Sequence, residues 1–195
     1  MNLEVKEKEC KLLQSKQMTK IHLGSGRKII KNWINFDVEN YPGVVVVDLR
    51  NGIPLADGSV SKIFSEHAIE HFDKKTGYFL LKECYRVLKS GGSIRIGWPD
   101  LGLILWSYLF HNPRHKKHIL PHIENGLVFG HWDEILSDRL FSWEHRYAYT
   151  AKHLKGLMVK IGFKNVRKKP FMKSDYGFKQ DTHSDPVTVY LEAIK

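Results

Sequence analysis

The sequence predicts an open, mostly parallel α/β sheet of seven strands. Seven strand-like segments, helical stretches between several of them, and the unbroken Val44–Val47 run carry that reading. Strand and helix periods that alternate along a chain imply a sheet with crossover helices. Four consecutive β-branched residues imply a strand covered on both faces, the habit of parallel sheets. The 195 residues suit a single domain, 1–195, with a core that needs no disulfide or structural metal.

Taken in order, residues 3–17 carry a weak amphipathic helical pattern through Leu3, Cys10, Leu13 and Gln17, an N-terminal extension spanning 1–19. Lys20–Leu23 reads as the first strand, stopped by Gly24-Ser25-Gly26, and Trp33–Asp37 as the second. Val44–Asp48 is the third, and Val60–Phe64, after the turn signals Asn51-Gly52 and Asp57-Gly58, the fourth. Residues 73–89 read as a helix: Leu80, Leu81, Cys84, Val87 and Leu88 recur at three- and four-residue spacing, and Ser90-Gly91-Gly92 ends the run. Ser93–Gly97 is the fifth strand. Thr150–Ile161 is a second helix, with Thr150 as N-cap, and Gly162 closes it. Phe163–Val166 and Val187–Ile194 complete the sheet.

Residues 100–149 break the alternation. They hold three of the five tryptophans and more than half of the histidines, with poor periodicity, and read as an insertion between the fifth strand and the late helix.

Composition limits the class. With 42% hydrophobic and 27% charged residues the chain is an ordinary globular protein. The apolar stretch Leu101–Phe110 is half the length a membrane span requires. The first twenty residues lack the apolar core of a signal peptide, so a cytoplasmic protein is expected, with Cys10 and Cys84 as free thiols. The net charge of +10 marks a basic protein and favours anionic partners. Nine Lys/Arg against one Asp between Lys152 and Lys179 concentrate it, and HNPRHKKH at 111–118 adds a second cluster. Neither interleaves aromatics as RNA-binding motifs do, so nucleic acid is compatible with the charge but not indicated. A solvated basic face accounts equally for both clusters.

Chemistry is expected where the strands end. Gly24 and Gly26 after the first strand let the backbone approach a ligand closely, although the third glycine of a dinucleotide fingerprint is replaced by Ile29. Asp37 and Asp48 end the second and third strands, where a carboxylate can grip a ribose diol. Turn capping is the alternative role for both.

Here the chain resembles the class I S-adenosylmethionine-dependent methyltransferases, in particular the small bacterial type 11-like enzymes. The resemblance runs through HLGSG (22–26), WINFDVE (33–39), VVVVDL (44–49) and IPLADGSVSKIFSEHAIEHF (53–72). It continues through ECYRVLKSGGSIRIGWPDL (83–101), LKGLMVKIGFKNV (154–166) and VYLEAIK (189–195). It implies a Rossmann-like sheet with helices on both faces, S-adenosylmethionine as cofactor, and 100–149 as a substrate-binding insertion. Leu23, Gly24, Ser25 and Gly26 would flank the methionine part, and Asp37 with Val38 the ribose. Asp48 with Leu49 would border the adenine, and Ser65, Glu66 and His67 would form the floor. The chain departs from the family between Arg27 and Trp33, where about seven residues leave room for a turn but not for the usual first helix.

His67-Ala-Ile-Glu70-His71 also matches a zinc-peptidase pattern, with the two histidines as ligands and Glu70 as base. The motif directly follows a strand and no third ligand is evident nearby, so no metal is expected. Ser65-Glu66-His67-Ala68 replaces the tetrad of amino-methylating nucleic-acid enzymes, and neither cysteine suits C5-pyrimidine chemistry. That leaves transfer to an oxygen or nitrogen of a small-molecule or carbohydrate-like acceptor. His145 is the first candidate base and His131 the second, while Arg114, Lys116 and Lys117 could attract an anionic acceptor. An RNA-directed methyltransferase and a non-catalytic cofactor-binding module are the competing readings.

Overall fold

The structure, a computed structural model, describes residues 19–119 and 131–195. The helix expected over 3–17 and Cys10 lie outside them. Seven strands form one sheet: β1 Thr19–Leu23, β2 Ile34–Asp37, β3 Val44–Val46, β4 Val60–Glu66, β5 Leu88–Pro99, β6 Lys164–Lys169 and β7 Thr188–Ile194. Their order is β3-β2-β1-β4-β5-β7-β6. All pairings among β1–β5 are parallel, and β7 runs antiparallel to both neighbours.

Strand alternation gives the sheet two unlike faces. Ile21, Leu23, Ile34, Phe36, Ile63, Ile94, Ile96, Trp98, Val189 and Leu191 share one apolar core. Helices α1 (Lys74–Val87) and α5 (Ala151–Ile161) pack on that core and on each other. Helix α1 starts at Asp73, whose carboxylate accepts from the Lys75 and Thr76 amides, and buries the expected stripe Leu80, Leu81, Cys84 and Val87. It ends two residues earlier than expected, because Leu88 already pairs with Val60. Ser90–Gly92 is an irregularity within β5 and not the helix stop. Helix α5 is capped by Thr150 as expected, and its Leu154 and Met158 are fully buried.

The opposite face between β2 and β7 is polar: His22, Asn35, Lys62, Glu66, Arg95 and Glu192 point there by the same alternation. Its cover among the described residues is the segment 170–187, without helix or strand. Arg95, with no exposed surface, is its anchor. Nε donates to Asp181 at 2.6 Å, and Nη1 to Glu192 at 2.8 Å and to the Lys173 carbonyl at 3.0 Å. Nη2 reaches the Pro170 carbonyl at 3.1 Å, and the guanidinium lies 4.4 Å from the Tyr190 ring centroid. Lys62 donates to the Tyr176 carbonyl, and Phe178 packs toward Phe64 and Trp33.

The valine run is only half-buried, contrary to expectation, because β3 is an edge strand with a partner on one side alone. At the other edge, β6 is KNVRKK. Lysines on an open edge discourage pairing with another chain, which gives part of the basic cluster a structural role.

The 100–149 region contains helices α2 (Leu101–Leu109), α3 (Pro113–Ile119) and α4 (Trp132–Phe141). Helix α2 is apolar on almost every side, so no 3.6-residue period shows in its sequence. It buries only Ile104 and Ser107 while Trp106, Leu109 and Phe110 stay exposed. One carboxylate pins both ends of the region: Asp100 accepts from Leu103 N in α2 and from Ala151 N in α5. Among the described residues, no helix is long and apolar enough to cross a membrane.

Candidate cofactor cleft

The carboxyl ends of β1, β2, β3 and β4 open into a cleft of about 400 Å³, within the usual range for small-molecule sites. Gly24 and Gly26 floor it with φ of +64° and +51°. A Cβ on Gly24 would stand 2.5 Å from the Ala68 Cβ, so only glycine fits this approach of β1 to the β4 loop.

The absent first helix has a visible cause. Asn35 sits mid-strand on the polar face, and its amide donates to the Ile30 and Trp33 carbonyls while its oxygen accepts from the Ile30 N–H. These bonds fold residues 27–33 into turns. His22 Nδ1 lies 3.3 Å from the same oxygen, and burial holds that imidazole neutral, with its pKa lowered to about 4.

Asp37 lines the cleft and closes the glycine turn. One oxygen accepts from Gly26 N at 2.7 Å and the other from Glu39 N at 3.0 Å. Asp48 also lines it, capping the turn Leu49–Asn51 and pairing with Arg50, which lowers its pKa. Both acids therefore cap turns and face the cleft at once.

Of the expected cofactor residues, Gly24, Gly26, Asp37, Val38, Asp48, Leu49 and His67 line the cleft. Leu23, Ser25 and Ser65 are buried and not among its lining residues. Glu66 corrects the sequence expectation. By strand alternation it shares the polar face with Lys62, where it accepts from Thr182 N at 2.9 Å, His183 N at 3.1 Å and the Tyr190 hydroxyl. It ties down the cover segment. Burial alone would raise its pKa, but bonds from His183, Thr182 and Tyr190 outweigh that and hold it well below the usual carboxylate range. A depressed folded-state pKa contributes stability that is full above the unfolded value of about 4.3 and lost as pH falls below it. Between pH 7 and pH 4, the melting temperature of wild type should therefore fall further than that of Glu66→Gln. Equal falls would contradict the assignment.

His67 has φ +51°, unusual for a side-chain-bearing residue and found where the chain leaves β4. Its Nε2 lies 3.0 Å from the Thr188 hydroxyl and its Nδ1 3.2 Å from Glu70. Burial lowers its pKa, yet Glu70 outweighs burial and the net shift is upward.

The candidate bases stand back from the cleft. His131 precedes α4, where its N–H donates to Glu134, and is not a lining residue. His145 is not one either, although its neighbours Glu144 and Arg146 are, and its ring meets His71 edge-on at 5.1 Å. The Glu70 carbonyl accepts from Arg146 N at 2.8 Å and from Tyr147 N at 3.2 Å, which brings this strip to the cleft wall. Arg114, Lys116 and Lys117 do not line the cleft. Sequence reasoning missed Phe72, Asp73, Thr76, Glu144 and Arg146. The Asp73-x-x-Thr76 capping pattern could have placed the start of α1 there. The 144–146 strip had no such local signal.

Residues 15–96 match the family model of the methyltransferase domain. The match takes in Gly24, Gly26, Asp37 and Asp48 of the cleft. S-adenosylmethionine is the methyl donor of the class I methyltransferases to which this segment is similar. The fold is shared with a SAM-dependent methyltransferase of Thermotoga maritima, described as a possible histamine N-methyltransferase, at TM-score 0.57 and 18% identity, over 98% of this chain and 88% of that one. A SAM-dependent methyltransferase of Archaeoglobus fulgidus gives TM-score 0.57 and 16% identity over 98% and 94%. A phosphoethanolamine N-methyltransferase of Haemonchus contortus, solved with phosphomonomethylethanolamine and S-adenosylhomocysteine, gives 0.52 and 14% over 98% of this chain and 52% of that one. No curated protein matches the sequence.

Proposed function

We propose that the enzyme transfers the methyl group of S-adenosylmethionine to an oxygen or nitrogen of a small, carbohydrate-like acceptor. The observation that carries this is the acidic cleft: Asp37, Asp48, Asp73 and Glu144 line it against Arg50 and Arg146. Such a surplus of carboxylates suits a donor that bears a sulfonium and an ammonium. Asp37 accepts the ribose hydroxyls with the lone pairs its two backbone bonds leave free, Val38 and Leu49 flank the base, and Gly24 gives the methionine part room. When bound, the donor supplies an electrophilic methyl carbon. The chain's task is to orient the acceptor in line with it and to keep water out. His67, His71 and Arg146 form the acceptor-side wall. His145 acts there only through His71, as a positioning residue.

The RNA-directed reading is the weaker one. Strand β6, with four of the nine Lys/Arg of the 152–179 cluster, is three strands beyond β4, roughly 14 Å across the sheet. Incubation with radiolabelled donor and a panel of sugars, sugar phosphates, small amines and bulk RNA tests the proposal. Label is expected in the small molecules; label in RNA alone would overturn it. A protein that bound donor without labelling any pool would instead be a non-catalytic binding module.

A further inference from the structure

At and behind the acceptor wall, Glu70, His71 and His145 form a group whose arrangement acceptor positioning alone does not account for. Glu70, in the turn Ile69–His71, is 1% exposed, and among the described residues its carboxylate has one polar side-chain neighbour, His67 Nδ1 at 3.2 Å. Ligand atoms of Glu70, His71 and His145 all lie within 4.8 Å of one another. One imidazole leaves most of the acceptor capacity of this buried carboxylate unused, capacity that a bound cation would take up.

The surroundings suit a metal ion. His145 Nδ1 is 3.0 Å from the Arg139 carbonyl, which can only accept, so Nδ1 carries the proton and the Nε2 lone pair is free. Metal-bound histidines are commonly held by this type of bond. Glu70 is steadied at 3.2 Å by His67, itself fixed at its other nitrogen by Thr188. Arg139 is the remaining charge nearby, but its guanidinium faces Asp185 at 3.7 Å and the Trp143 ring.

We propose that Glu70, His71 and His145 bind a divalent transition cation, zinc being the best match to two imidazoles and one carboxylate. Three protein ligands leave a tetrahedral ion one open position, as in catalytic zinc sites. His71 lines the cleft, so that position faces the acceptor side, where an oxygen of the acceptor or a water would complete the shell. The arrangement differs from the peptidase reading of the same motif: Glu70 is a ligand and not a base, His67 supports it, and the third ligand arrives from the far end of the insertion. Ion binding itself does not depend on the methyl-transfer proposal; only the role of the open position does.

Zinc titration of the full chain at pH 7.5 without donor, in competition with a chromophoric zinc indicator, tests the site. One tight equivalent is expected. His71→Ala, His145→Ala and Glu70→Gln should each weaken it at least tenfold, while His111→Ala, on the exposed surface, should not. Cobalt(II) added to wild type should give the intense visible bands of a four-coordinate ion, a readout that survives if a variant fails to fold. No binding by folded wild type, or binding unchanged in the three variants, would overturn the proposal. Loss of zinc binding with donor affinity intact would count against this site alone, and the reverse against the cofactor assignment alone.

Discussion

Replacing Arg95 by methionine should lower the free energy of unfolding by about 3–5 kcal/mol, the usual cost of removing one partner from a buried ion pair. The guanidinium serves Asp181 and Glu192, both buried, together with two carbonyls of the cover segment. Methionine fills much of the volume but leaves two carboxylates without compensation. Asp181 and Glu192 also accept from Met172 N and Asp175 N, so their displacement would loosen the start of the 170–187 cover as well. In urea unfolding the midpoint should fall while the slope with denaturant stays constant. Adding Asp181→Asn and Glu192→Gln should recover part of the loss, because neutral side chains tolerate burial better than unpaired charges. A fall below about 1 kcal/mol, in the range of an exposed ion pair, would contradict the anchoring role.

Asp37→Ala should weaken S-adenosylmethionine binding by about 1–3 kcal/mol, the cost of leaving a polar ligand group without its acceptor. Alanine also frees the Gly26 and Glu39 amides, so the loss combines direct contact with loosening of the glycine turn. Asp37→Asn separates the two. Its amide oxygen can still accept from Gly26 N, but it lacks the charge and the second acceptor. If the carboxylate itself grips the ribose, the asparagine variant should lose most of the affinity that alanine loses, with a melting temperature between those of wild type and the alanine variant. Full affinity in both variants would remove Asp37 from the binding site and leave it as a turn cap.

Much of this was legible in the chain because it is written locally. Periodicity located all seven strands and both core helices, and the gap between Gly26 and Trp33 foretold the missing first helix. Glycines and acids at strand ends located the cleft. What escaped depends on neighbours. Four valines read the same in a central strand as in an edge strand, and only the strand order places β3 outside. Glu66 and His67 are adjacent in sequence, yet alternation sends Glu66 to the polar face, and a left-handed turn keeps His67 at the cleft. The cover over Arg95 is irregular backbone held by side-chain bonds, for which no periodic signal exists. The third member of the Glu70–His71 group is likewise far off in sequence, delivered only when residues 146 and 147 bond to the Glu70 carbonyl.

The central claim is that the strand-end cleft binds S-adenosylmethionine. Calorimetric titration of the purified protein with S-adenosylmethionine, S-adenosylhomocysteine and NAD tests it most directly. One-to-one micromolar binding of the first two and no heat from NAD is the predicted result. Silence from both sulfur nucleosides, or binding of NAD in their place, would contradict it.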